Sequence, residues 1–161
     1  MRARSHRELH RLRGSVNRVR KLSDRVVGIG PFSLGLDGVL AWIPGFGLAY
    51  SLGAGGFLLY QGLRAHARPG TLAKMAGFLV ADSLTDVIPI PLAPAVADMV
   101  FTGHKWAADA LLKHLDETLY YEGSKAEAEA DPAFREHLKD LAEQRRSGAL
   151  KAKRIVYLKA G

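Results

Sequence analysis

Apolar and charged positions fall into three blocks along this chain. Over the first 25 residues Leu9, Leu12, Val16, Val19 and Leu22 recur at steps of three and four, which predicts an amphipathic helix with one apolar stripe. From Val26 to Leu63 the sole charged side chain is Asp37, and from Met75 to Gly103 only Asp82, Asp86 and Asp98 are charged. Beyond Gly103 the polarity returns: Trp106, Leu111, Leu112, Leu115 and Leu119 extend an amphipathic helix to Tyr120-Tyr121, which Glu122-Gly123-Ser124 ends. The near-zero mean hydropathy averages over these blocks and conceals them.

Within the apolar middle, Gly28, Gly30, Pro31 and Gly35 break any helix before Leu36, and Pro44-Gly45 marks a reversal. Phe46 to Leu63 is then uncharged over about one bilayer thickness of helix. Gly47, Ser51 and Gly55 repeat at four-residue steps, and Gly45, Ala49 and Gly53 form a second small-residue ridge one row away. Each glycine costs a water-exposed helix about 0.5–1 kcal/mol relative to alanine, whereas small-residue ridges are typical of helices packed together in lipid. After a basic linker from Arg64 to Lys74, a second apolar unit runs from Met75 to Ile88. Pro89, Pro91 and Pro94 force another bend before helix resumes near Ala95. Asp37 lies seven residues before Pro44 and Asp82 seven before Pro89, an offset of 45 residues, as two similar hairpins with proline tips would give.

The expected fold is all-α, in three regions. Residues 1–25 form a basic amphipathic helix, 26–103 an apolar domain of two helical hairpins, embedded in a membrane or re-entrant, and 104–161 charged amphipathic helices with an interaction tail. Asp131-Pro132 supplies an N-cap and first-turn pair for a helix with Phe134, Leu138 and Leu141 on one face, closing near Ser147-Gly148. The tail from Leu150 to Gly161 lacks a core of its own and is expected to dock or to extend onto a partner.

Charge sharpens this picture. Residues 1–25 carry nine Lys or Arg against Glu8 and Asp24, a balance of +7, which equals the formal charge of the whole chain. Arg11, Arg13, Arg18, Arg20, Lys21 and Arg25 are the candidates for an anionic membrane surface, where each contributes about 1 kcal/mol. Nucleic acid is the less favoured partner: the charge suits phosphates, but there is no zinc finger, RNP-like motif or interleaved aromatic set. Basic residues flank the apolar units at Arg25, at Arg64, Arg68 and Lys74, and at Lys105 and Lys113. Hairpins entering from the cytoplasmic side would keep all of these, with the N- and C-terminal regions, on that side.

Leu36-Asp37-Gly38-Val39 running into Ile43-Pro44-Gly45-Phe46-Gly47, then Leu72-Ala73-Lys74-Met75, Asp82, Ile88-Pro89 and Asp98, resembles domain of unknown function 4112 over about residues 34–115. The resemblance implies a small, hydrophobic, membrane-associated domain without an established activity. Where that family places Gly-Asp shortly after each proline, this chain has Gly47-Leu48 and Pro94-Ala95, and His104-Lys105-Trp106-Ala107 stands in place of an Asn- and Arg-rich stretch. Of the family's polar set, only Asp37, Asp82 and Asp98 match.

The chemistry-bearing residues are sparse. Asp82 and Asp86 share one helical face, the spacing at which two carboxylates can hold a cation or share a proton, yet hard cations want six or more oxygen ligands. Asp37, Asp82, Asp86 and Asp98 are therefore candidate functional carboxylates whose simpler roles are pairing and, for Asp37, helix capping. The six histidines are dispersed without a ligand motif and are expected at the surface. No serine has a nucleophile-elbow context, no glycine cluster completes a phosphate-binding loop, and there is no cysteine. No catalytic residue, metal or cofactor is expected. The expected function is a non-enzymatic membrane scaffold or accessory subunit bound to lipid and to other membrane subunits or itself. The alternatives are a soluble nucleic-acid-binding helical domain and an ion- or proton-handling protein built on the aspartates.

Overall fold

The computed structural model describes residues 2–28, 46–87, 93–148, 152 and 154–159, with side chains described over 2–23, 52–81, 103–144, 146–148, 152 and 154–159. Helix α1 (His6–Gly28), α2 (Phe46–Arg64), α3 (Pro69–Val87) and α4 (Ala93–Asp116) are followed by strand β1 (Thr118–Tyr121), helices α5 (Lys125–Ala130) and α6 (Pro132–Arg146), and strand β2 (Arg154–Tyr157). The chain is mostly helical, as its pattern predicts.

Helix α1 starts where the sequence offers a cap: the Glu8 amide donates to Ser5 Oγ at 3.3 Å, and the Arg4 amide donates to the Glu8 carboxylate at 3.0 Å. Its apolar stripe turns inward, with Leu9, Leu12 and Val16 buried and Val19 packed beside them; Leu22 escapes the core and is 54% exposed. Helix α4 is the centre, packing on α1, α2 and α3, and it contributes Ala107, Ala108, Leu111, Leu112 and Leu115 to the core.

Three sets of contacts fix the helix directions. Arg13 pairs with Asp116 and Arg20 with Asp109, so α1 and α4 are antiparallel. Thr71 meets His114 and Phe78 meets Trp106, so α3 and α4 are antiparallel. A Cβ on Gly55 would touch Leu79, and one on Gly62 would touch Leu72 and Met75, so α2 and α3 form a hairpin through Ala65–Arg68. The four helices thus run up and down, with His6, Arg64, Pro69 and Asp116 at one end, the base. Gly28, Phe46, Val87 and Ala93 lie at the other, the tip.

The connection at the base is shorter than expected. Helix resumes at Pro69 rather than near Met75, because proline's fixed φ and missing amide suit the first helical position and the Thr71 and Leu72 amides both donate to the Arg68 carbonyl. His66 takes the left-handed conformation at φ 55°.

The all-α expectation is corrected beyond Asp116. Instead of a helix to Tyr121, Thr118-Leu119-Tyr120-Tyr121 is a strand, and the tail pairs with it in parallel, Thr118 against Arg154 through Tyr121 against Tyr157. The tail docks on its own chain. Parallel strands need a long crossover, supplied here by α5 and α6. Ser124 and Glu127 form a reciprocal capping box at the start of α5, and Asp131 Oδ1 accepts from the Ala133 amide at 2.9 Å to open α6. Tyr121 stacks between Phe134 and Tyr157, 4.4 and 6.1 Å between ring centres, which holds α6 against the two strands.

Candidate membrane-facing surface

The outer face of the α2–α3 hairpin is built from residues that a water-soluble bundle would turn inward. On α2, Leu52 is 62%, Phe57 38%, Tyr60 47% and Leu63 57% exposed, and on α3 Val80 is 57% exposed. Gly53, Gly56, Ala73, Gly77 and Ala81 lie between them, also exposed. Nothing lies within 4 Å of where a Cβ would stand on Gly53, Gly56, Gly70 or Gly77. From Leu52 to Leu63 and from Pro69 to Ala81, Lys74 is the one charged side chain. Large contiguous apolar patches of this kind mark an interaction surface.

The small-residue ridges divide. Gly55 faces inward, its ideal Cβ 3.3 Å from Leu79 Cδ2, whereas Gly53 is open. Gly62, which belongs to neither ridge, has the shortest such distance among the described α2 glycines, 2.8 Å from that Cβ position to Leu72 Cδ2. Gly45 lies outside the described residues, as do the side chains of Ala49 and Ser51; Gly47 is on α2. Asp37 lies outside the described residues too. Asp82 and Asp86 are on α3 and Asp98 on α4, with their side chains outside the described set. Among the described residues no group of three or more His, Asp or Glu is arranged to hold a metal ion.

Two of the six candidate basic residues are engaged within the bundle. Arg13 Nη2 lies 2.7 Å from Asp116 Oδ1. Arg20 Nε lies 2.6 Å from Asp109 Oδ1, at an angle that makes the contact an ion pair rather than a hydrogen bond. Arg11, Arg18 and Lys21 are exposed, and the side chain of Arg25 lies outside the described residues. Between the two ion pairs runs a groove of about 450 Å³ lined also by Asn17, Lys113 and Glu117. Around the corner of α4 a second groove, about 330 Å³, lies between Lys74 and Phe78 on α3 and Trp106, Asp109, Ala110 and Lys113 on α4.

The surface expectation for the histidines is corrected at His104 and His114, which are 4% and 7% exposed. His114 falls on the inner face of α4 beside Leu111 and Leu115. Its Nδ1 lies 3.4 Å from Thr71 Oγ1, and its Nε2 is buried without a hydrogen-bond partner. Burial pushes its pKa down, and the guanidinium groups of Arg154 and Arg68 push the same way. Nearby, His66 Nε2 lies 3.0 Å from the Ala3 carbonyl, and the Tyr120 hydroxyl, whose pKa burial raises to about 12, donates to the Ala65 carbonyl. This polar knot joins the amino-terminal segment, the α2–α3 turn, α4 and the strands. Its members are spread over the whole sequence, so spacing gave no signal for it.

An antiparallel bundle of four helices, its base closed by a two-stranded parallel sheet, defines the architectural class. The family model described as Domain of unknown function (DUF4112) matches residues 12–115, and the chain belongs to that family. The match begins within α1, further back than the Leu36 motif, and ends one residue before α4 does. No curated protein and no solved structure matches the chain.

Proposed function

We propose that this protein is a non-catalytic membrane-associated scaffold or accessory subunit that rests in one leaflet through the outer face of its α2–α3 hairpin. The observation that carries the reading is that face: over the described stretches Leu52 to Leu63 and Pro69 to Ala81 of two adjacent helices, the outward residues are apolar or small, with Lys74 as the one charge. Such a surface is costly in water and is accommodated by lipid or by another apolar helix. Among the described residues no helix is long and apolar enough to cross a membrane; in α2, five glycines, Tyr50, Ser51, Tyr60 and Gln61 dilute the hydropathy of a helix about 28 Å long. This favours shallow insertion over spanning. Arg64, Arg68, Arg13 and Lys113 gather at the base, which favours a cytoplasmic base with the α2–α3 tip directed into the bilayer, although α1 carries Arg25 to the opposite end of the bundle.

Fractionation of the untagged protein tests this reading. Retention on membranes through high salt and carbonate, with release by mild detergent, is the expected result, and the subunits released with it would identify what it scaffolds. The exposed basic row Arg7, Arg11, Arg18 and Lys21 on α1 supports the second reading, nucleic-acid binding. A protein that stays in the soluble fraction and binds DNA or RNA with steep salt dependence would establish that reading in place of the first.

A further inference from the structure

The groove between α3 and α4 combines features that the apolar hairpin face lacks. Trp106 is 48% exposed and tilted against Phe78, 5.5 Å between ring centres. The Lys74 ammonium is held 5.6 Å from the centre of the Phe78 ring, and Lys113, three residues from Ala110 along α4, closes the groove toward the base. The single carboxylate in the lining, Asp109, is already engaged by Arg20. The groove therefore offers two ammonium groups and two aromatic faces to a ligand, and its charge complements an anion with an apolar extension.

The helix register places these groups in a definite order along the bundle. Thr71 opposite His114 and Phe78 opposite Trp106 put Lys74 and Lys113 on the base side of the aromatic pair. Gly55 against Leu79 and Gly62 against Leu72 bring Phe57 of α2 to nearly the same level and Tyr60 to the level of Lys74, with Arg64 further toward the base, 5.9 Å from the Tyr60 ring centre. Leu52 and Val80 lie toward the tip. From base to tip, Arg64, Lys113 and Lys74, then Phe57, Phe78 and Trp106, then Leu52 and Val80 succeed one another as headgroups, interface and hydrocarbon do across one leaflet; Leu63, level with Thr71, and Lys105, on the tip side of Trp106, stand outside this order.

We propose that the α3–α4 groove seats the headgroup of an anionic phospholipid, its phosphodiester between Lys74 and Lys113 and its glycerol region against Phe78 and Trp106. This rests on the membrane reading and adds to it a specific lipid class and an insertion level. Trp106 reports on the site directly once Trp42, the other tryptophan of the chain, is replaced by phenylalanine. The Trp42→Phe protein is mixed with phosphatidylcholine vesicles, with or without phosphatidylglycerol and with lipids brominated near the top of the chains.

The expected result is quenching of Trp106 in anionic vesicles and an affinity for them that falls about thirtyfold in Lys74→Gln/Lys113→Gln, since two headgroup contacts are lost. Affinity for phosphatidylcholine alone, and the effect of Lys139→Gln on α6, should stay flat. Both lysines are exposed, so the double variant keeps the fold. If the double variant binds anionic vesicles as tightly as the parent, or if Trp106 is unquenched in bound protein, the headgroup site is overturned while the membrane reading stands. If inorganic phosphate alone shifts Trp106 emission, the groove is a free-anion site and the lipid assignment is overturned. If the protein binds no vesicle of either composition, both readings fall.

Discussion

The Tyr120 hydroxyl donates to the main-chain carbonyl of Ala65 at 2.8 Å, across 55 positions of sequence. That carbonyl lies just past the end of α2, where helical carbonyls have no partner within the helix. Tyr120 supplies one from a strand and so fastens the sheet to the turn from which the apolar hairpin springs. Replacing Tyr120 with Phe should cost about 1 kcal/mol, the net value of one such bond, read from the urea midpoint in mild detergent. The tyrosine also leaves a pH signature. Its folded pKa is raised to about 12 from 10.0, so the stability it contributes is complete below pH 10 and is lost as pH rises toward 12. Tyr120→Phe should flatten that alkaline limb.

His114 gives the opposite sign at the acid end. Its folded pKa is lowered from 6.5 by burial and by Arg154 and Arg68, against the smaller raising effects of the His66 backbone and Glu117. The unfolded chain therefore takes up the proton first, and the stability His114 contributes is present above pH 6.5 and is lost as pH falls below it. Thermal midpoints between pH 7.5 and 5 should decline more steeply for the parent than for His114→Gln. Equal slopes would remove His114 from the account of acid sensitivity.

The glycines of α2 separate packing from exposure. Gly53 and Gly56 have open space where a Cβ would stand, so Gly53→Ala or Gly56→Ala should stabilise by about 0.5–1 kcal/mol. Gly62 faces Leu72 and Met75 and Gly55 faces Leu79, so Gly62→Val and Gly55→Val should each cost about 1–3 kcal/mol through overpacking. Denaturation of the four variants under one condition checks the contrast; a uniform response would mean that the hairpin packs differently.

How much of this was legible in the sequence follows from what each element depends on. The stripe Leu9-Leu12-Val16, the Asp131-Pro132 start and the apolar run from Phe46 are local patterns with one reading, and they reappear as α1, α6 and α2. The strands were missed because Leu111, Leu112, Leu115 and Leu119 keep helical spacing through Thr118. A four-residue strand is also too short to display its own period. Two signals were present: the aromatic and β-branched runs Leu119-Tyr120-Tyr121 and Ile155-Val156-Tyr157, and Ser124-x-x-Glu127, a helix start that a helix ending at Ser124 cannot use. Of the small-residue ridges, Gly55 faces Leu79 and Gly53 faces open space, while Gly62, outside both ridges, faces Leu72 and Met75. Spacing locates small residues on a helix, and only the partner helix decides which face is covered.

The apolar face itself yields the most direct test. Leu52, Phe57 and Val80 all have large exposed areas, so converting them together to Gln removes little burial within the fold, and exposed substitutions of this kind usually stay within about 0.5 kcal/mol each. If lipid covers this face, the loss appears elsewhere. Each side chain removed from the membrane forfeits its transfer free energy, about 1.5–3 kcal/mol for a fully buried Leu or Phe, and carbonate-resistant membrane retention should disappear while the far-UV circular dichroism stays that of the parent. Unfolding of the triple variant in detergent at the parent's urea concentration, together with soluble behaviour in cells, would be the combined signature of a lipid-covered surface. Retention unchanged by all three substitutions would mean that the α2–α3 face does not meet the bilayer.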